Sequence, residues 1–439
     1  MLIIGSFCKD RTWPVGLKKR NIKIMKLGTY SLGIGDRFSM QGEAQLAAFF
    51  PARERGVEIT PVWNKSNREH QTIGSVPGQT RLEADQAVKL LGWDKPFFVD
   101  ADHINMNSVD HFVDHSDFFT IDVAEFIGRS SEASDIDSFV LRNKKYVGRL
   151  LIPGIDHPFG ITEELLREIA EKFLYAVKQA ADIYRYIRSG KQAATFITEI
   201  SMDEVNNAQT PIELFFILSA LAAEGVPVNT IAPKFTGRFN KGVDYVGDVD
   251  LFAREFEEDL LVLDFSVKEF KLPSGLKLSV HSGSDKFSIY PIMGNLIRKH
   301  NKGIHVKTAG TTWLEEVIGL SMAGGEALNL VKDIYVGALK RYDELTGPYA
   351  SVIDIDRNGL PASDDLTTWD GNQMATALRH IPDHPNYNPN LRQLMHVAYK
   401  LAAEAGDRYL SLLREHKQLV GEQVTENIFD RHMKRLFDL

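Results

Sequence analysis

The sequence predicts an α/β protein built as a (β/α)8, TIM-like barrel with a helical insertion and a C-terminal helical layer. Short β-type runs alternate with amphipathic helical stretches, and eight such runs precede residue 313. Repeated βα units imply parallel strands with helical crossovers, and eight of them suit a closed barrel better than the runner-up, an open doubly wound sheet. Charged and polar residues also gather at the end of run after run, where this architecture places its chemistry.

In chain order, LGTYSLGIGDRF (27–38) reads as the first strand, with a helix over 42–56. Residues 57–64 form the second strand and 82–92 supply the next helix. Residues 96–103 and 117–126 are strands three and four, and a helical insertion at about 128–192 carries a long helix over 161–190. Strands then follow at 194–201, 228–235, 276–284 and 303–312, with helices over 211–225 and from Asp250 onward. From Trp313 to about Leu345 the pattern is helical, 347–372 is a Pro, Gly and Asp-rich surface excursion, and 383–390 breaks the final helical part. The expected division is a tail over 1–24, a catalytic barrel over 25–345, and a helical extension over 346–439 packed on it.

Composition narrows the function classes. The 439 residues include 51 Lys and Arg against 59 Asp and Glu, a formal charge of −8, and 44% are apolar. That apolar content excludes a disordered chain, and no apolar run approaches the roughly 20 residues of a membrane span. No basic stripe marks a nucleic-acid binder. Cys8, the single cysteine, cannot form an intramolecular disulfide, so a reducing cytoplasm is the expected compartment. MLIIGSFC lacks the basic segment and apolar length of a signal, and Met25 is a candidate start of the natural fold. Oligomeric state is not legible.

The strand ends carry Asp36 and Arg37, Asn64 and Lys65, Asp100, Asp102 and His103, Asp122 and Glu125, Glu199, Lys234, His281 and Asp285, and Lys307. Strand alternation sharpens the choice. If Phe196 and Ile200 pack on helices, Glu199 points into the barrel; Ser279 and His281 share one face, as do His305 and Lys307. His103 and His281 are candidate metal ligands, because neutral imidazole binds divalent cations and nearby carboxylates can complete a site open to substrate. Lys234 and Lys307 can hold an anion, polarise a carbonyl or form a Schiff base. The loops HSGSD and KTAGTT, after strands seven and eight, suit an anion, as a carboxylate or a phosphate. GIGDRF has Phe38 where a dinucleotide loop needs its third glycine, which argues against NAD, and P-loop and nucleophile-elbow motifs are missing.

FFVDADHINM, TEISMDE, APKFTGRFNKGVDYVGD, HSGSDKF, HVKTAGTT and VTENIFDRHMKRLF together resemble the bacterial tagaturonate/fructuronate epimerases of hexuronate catabolism, over the chain from Met25 onward. The resemblance implies a metal-dependent epimerase acting on a free keto-hexuronate. The inverted carbon of these sugars lies β to the ketone, so its hydrogen is not acidic and one-proton epimerisation fails. Retro-aldol cleavage and re-addition, with a divalent metal stabilising the enediolate, is the expected route. The corresponding assignment places His103 and His281 on the metal, Asp102 and Glu199 as the acid/base pair, and Lys234, Arg238, Ser284, Asp285 and Lys307 around the substrate. The competing readings are an aldolase or isomerase on a related sugar or sugar phosphate, with Lys307 as a Schiff-base amine, and a non-catalytic sugar-acid-binding barrel.

Overall fold

The computed structural model describes residues 26–191, 196–281, 283–308 and 311–439. The expectations for the 1–24 tail with Cys8, and for the glycine of the KTAGTT loop, therefore lie outside the described residues. Eight parallel strands close a barrel: β1 (Tyr30–Ile34), β2 (Ile59–Ser66), β3 (Phe98–Ile104), β4 (Phe118–Asp122), β5 (Ile197–Ser201), β6 (Thr230–Ala232), β7 (Lys277–Val280) and β8 (Ile304–Lys307). They pair in sequence order around the barrel, and β8 returns to β1 with Gly33 opposite Lys307. All eight expected strands are present. Closure removes both sheet edges, so every interior strand face is committed either to packing or to the site.

The alternation inferred from sequence holds in three dimensions. Val62, Phe98, Phe118 and Ile197, all buried, form an apolar plug inside the barrel. Leu32, Trp63, Val99, Phe119, Phe196 and Ile200 face outward into the core shared with the surrounding helices. Two residues up each strand from the plug, the interior turns polar at Asn64, Asp100, Thr120 and Glu199, and all four are buried.

Helix Glu163–Gly190 follows the excursion that contains helix Ala133–Asn143 and the hairpin of Gly148–Leu150 with Phe159–Ile161, and it crosses over from β4 to β5. Thr162 starts it by accepting the Leu165 amide. The helical run after β8 is split: helix Thr311–Ala323 stops before Gly324, whose φ of 72° suits glycine, and Gly325–Lys340 follows. Helix Thr311–Ala323 and the C-terminal helices share a second core around Trp313, Leu314, Leu394, Met395, Tyr399 and Tyr409. This layer is tied to the barrel by Arg392, which is fully buried and donates to Asp285 at 2.7 Å and to the carbonyls of Gly242 and Leu378. At the far end, helix Tyr290–Lys299 meets the C-terminus so closely that a Cβ on Gly294 would lie 2.2 Å from the Leu436 carbonyl oxygen. No helix among the described residues is long and apolar enough to cross a membrane.

Candidate active site

Consecutive residues of a straight strand face opposite ways, yet Asp102 and His103 both reach the barrel mouth. The register of β3 against β4 shifts between Ala101 and Ile104, and His103 has a φ of 51°, which turns its imidazole inward beside Asp102. His103 Nδ1 lies 2.8 Å from Asp102 Oδ1. Across the mouth, His281 at the end of β7 sets Nε2 2.8 Å from Glu199 Oε1. Each imidazole thus has one nitrogen fixed by a carboxylate and the other turned toward Asp203, at 3.7 Å from His103 Nε2 and 3.1 Å from His281 Nδ1.

One ligand atom from each of His103, Asp203 and His281 falls within 4.8 Å of the others. Two imidazoles and a carboxylate suit a divalent first-row cation, and carboxylates behind ligating imidazoles are the usual means of fixing ring orientation and tautomer. The donor set therefore fits a metal, with room for further ligands from the cavity side.

Beneath these groups runs a buried charge network. Lys307 Nζ lies 2.9 Å from Asp100, 2.7 Å from Asp102 and 3.0 Å from Glu199, and it donates to Thr120 Oγ1 at 2.6 Å. Gly33 makes room for it, since a Cβ there would press within 3.1 Å of the Lys307 side chain. Burial disfavours every charge in the network, and the neighbours decide which survive. Against burial, Lys307 and His103 hold the Asp102 carboxyl well below the usual range, and Lys307 and His281 do the same for Glu199. Asp203 is likewise held low by His281 and His103. In Asp100 burial prevails, pushing it up to about 7 despite Lys307. Three carboxylates overcome the burial of Lys307 and keep it an ammonium. Asp102 and Asp203 lift His103, and Asp203 and Glu199 lift His281, each outweighing burial. This negative field around the two rings also favours a cation between them.

The cavity above the network holds about 320 Å³. Of the residues expected from sequence, Asp102, His103, His281, Ser284 and Lys307 line it. Glu199 is fully buried behind His281. Lys234, Arg238 and Asp285 are not among the lining residues. Arg238 is half exposed and pairs with Asp354 at 2.9 Å, because its loop runs outward over the C-terminal layer. Asp285, at a φ of 61°, turns away to Arg392, and its amide donates to His432 Nε2 at 3.0 Å.

Asp203 was missed, although a signal existed: 199, 201 and 203 continue one alternating face, and Ser201 Oγ donates to Asp203 at 2.7 Å. Arg37 was seen only as a strand-end charge; it too lines the cavity.

A tagaturonate/fructuronate epimerase of Thermotoga maritima is 27% identical to the chain over 428 residues, covering 93% of this chain and 80% of the relative. Among solved structures, a glycerol complex of the fructuronate-tagaturonate epimerase UxaE from Cohnella laeviribosi superposes with a TM-score of 0.77 at 25% identity, covering 93% of this chain and 81% of that one. The native structure of the same protein gives 0.74 at 24% identity, with the same coverage of both chains. The sequence model of the family described as UxaE, tagaturonate epimerase, matches residues 18–436, a span that includes the plug, the histidine pair and the C-terminal layer. The chain is thus an isomerase of the carbohydrate-epimerase class and belongs to the tagaturonate epimerase family.

Proposed function

We propose that the protein interconverts D-tagaturonate and D-fructuronate by retro-aldol cleavage and re-addition, using a divalent cation held by His103, Asp203 and His281. The observation that carries this reading is the convergence of two imidazoles on Asp203, each backed by its own carboxylate. Bound there, the cation supplies Lewis-acid stabilisation of negative charge developing on the ketone oxygen. Asp102 and Glu199, first expected to move protons, are better suited to hold the imidazoles. Glu199 has both oxygens occupied, by Thr120 and His281 on one and Thr230 on the other. Asp102 Oδ1 serves both Lys307 and His103.

Proton transfer then falls to cavity carboxylates outside these pairs. Asp122 lines the cavity and accepts the Ala124 amide through Oδ1, and burial raises its pKa, which suits a group that takes up and returns a proton. Glu204 lines the same cavity. One carboxylate removes the hydroxyl proton from the inverted carbon as the adjacent C–C bond breaks, leaving an aldehyde and an enediolate. After the aldehyde turns over, the bond re-forms on its other face, and the second carboxylate returns the proton. Lys307 is a poor Schiff-base amine, because three carboxylates hold it as an ammonium.

The test is interconversion of the two uronates followed by NMR in deuterated water, with and without a chelator. The expected result is chelator-sensitive turnover, rescued by divalent metal, with no deuterium at the inverted carbon. Deuterium at that carbon refutes the retro-aldol route, and turnover that persists in metal-free protein refutes the cation's role.

A further inference from the structure

The mouth of the cavity is electrically divided. His103, Asp203 and His281 stand at the ends of β3, β5 and β7, and the remaining odd-numbered strand, β1, ends in Arg37, across the barrel from β5. Arg37 is held from several sides. Asp36 before it accepts the amides of Phe38, Met40 and Gln41, and the Arg37 carbonyl accepts from Lys65 Nζ. Its guanidinium stacks on Tyr399, with Cζ 4.2 Å from the ring centroid, and Nε donates to Glu69 at 3.2 Å. That leaves the Nη edge. Nη2 has a weak contact with His396 Nε2 at 3.5 Å, and Nη1 is buried without a partner among the described residues.

His396 continues the same wall. Burial, then Arg37 and Lys241, hold its pKa well below the usual imidazole value, so the ring is neutral. With Nε2 facing an Arg37 donor, Nδ1 carries the proton, and among the described residues Nδ1 is also buried without a partner. Ser284 Oγ, at the β7 end of the same cavity, is also buried without a partner among the described residues. Native proteins seldom leave such groups unsatisfied, and a cluster of donors beside a fixed guanidinium is a receptor for an anion with planar oxygens. Of the other buried cations of the cavity, Lys286 directs its donors to the carbonyls of Asn240, Val243 and Ser284. Lys307 is spent on carboxylates.

We propose that Arg37, assisted by His396, binds the substrate carboxylate and makes the site select a uronate over the corresponding neutral ketose. The proposal rests on the reading of the site as one for a sugar acid. It places the carboxylate on the β1 side and the ketone on the β3–β5–β7 side, so that the charge of the substrate lies away from Asp203 and Asp122. Glu69 takes up the Nε side of the guanidinium, which leaves its Nη groups for the carboxylate.

The experiment measures calorimetric binding of D-tagaturonate and of D-tagatose, which carry a carboxylate and a hydroxymethyl group at the same terminal carbon, to metal-loaded protein. The wild type is compared with Arg37→Gln and Arg37→Lys, and turnover is recorded alongside. Wild-type protein should prefer the acid. Arg37→Gln should lose roughly 10- to 100-fold of affinity for the acid with little change for tagatose. Arg37→Lys, which keeps the charge for Glu69 but not the fork, should lose about 10-fold. If Arg37→Gln does not fold, Arg37→Lys decides. An acid preference unchanged in the folded variants, or missing from the wild type, overturns the proposal. Acid-selective binding that depends on Arg37 in a protein that does not epimerise tagaturonate would uphold it while overturning the reading of the reaction.

Discussion

Replacing Lys307 by Met tests whether the charge network under the site holds together as described. The methionine fills nearly the same space, so the perturbation is electrostatic. It removes the one ammonium that lies within 3.0 Å of Asp100, Asp102 and Glu199, all buried. Breaking a buried ion pair by deleting one partner costs about 3–5 kcal/mol. Here the cost falls toward the lower figure, because Asp100, already raised to about 7, takes a proton when Lys307 is gone, while Asp102 and Glu199 keep their imidazoles. About 3 kcal/mol, against a urea dependence that rises with size to at least about 3 kcal/mol per molar for 439 residues, moves the unfolding midpoint down by up to roughly 1 M. Tryptophan fluorescence reports the transition. The pH dependence has a definite sign. Asp102 and Glu199 are depressed in the folded state, so their stabilisation is present above their ordinary values and is lost as pH falls through the folded ones. The gap between wild type and variant should be widest near neutral pH and narrow below about pH 4. A midpoint within about 0.1 M of wild type at pH 7 would refute this account of the network.

Three further outcomes follow from the same geometry. In Asp100→Asn, the fall in stability between about pH 4 and 7 that accompanies ionisation of a carboxyl raised to about 7 should disappear; it amounts to about 4 kcal/mol at most, and parallel urea-midpoint curves for the two proteins would contradict it. Glu199→Gln should weaken zinc or manganese binding roughly 10- to 100-fold in a competition titration with a chromophoric chelator, since it loosens the ring of His281 without removing a ligand; unchanged affinity would detach Glu199 from the metal site. Arg392→Met should cost about 3–5 kcal/mol and raise hydrogen exchange first in helix Pro389–Val397 and around Asp285, because Asp285 loses its buried partner; uniform exchange changes across the barrel would show that Arg392 is not the local tie.

Much of the barrel was legible in the sequence because its signals are local. Period-two alternation put Ile197 and Glu199 inside and Phe196 and Ile200 outside without any knowledge of the neighbouring strands, and the strand ends drew attention to Asp102, His103, His281 and Lys307. The roles of those residues were not local. Nothing in FVDADH announces the register shift and the left-handed backbone at His103, which come from how β3 is paired with β4. Arg238 and Asp285 have the right chemistry for an anion, but their loops turn toward partners more than 60 residues away in sequence, Asp354 and Arg392.

Sequence alone determined the fold class and the inward faces of the strands, since periodicity and strand-end chemistry are properties of a short stretch of chain, and the resemblance of its motifs pointed to the family. Only the tertiary structure decided that Asp203 completes the histidine pair, that Asp102 and Glu199 stand behind the imidazoles, and that Arg37 faces them across the mouth. Candidate ligand atoms at the ends of β3, β5 and β7 converge within 4.8 Å only when the barrel closes, and the spacing of those residues along the chain carries no trace of that distance.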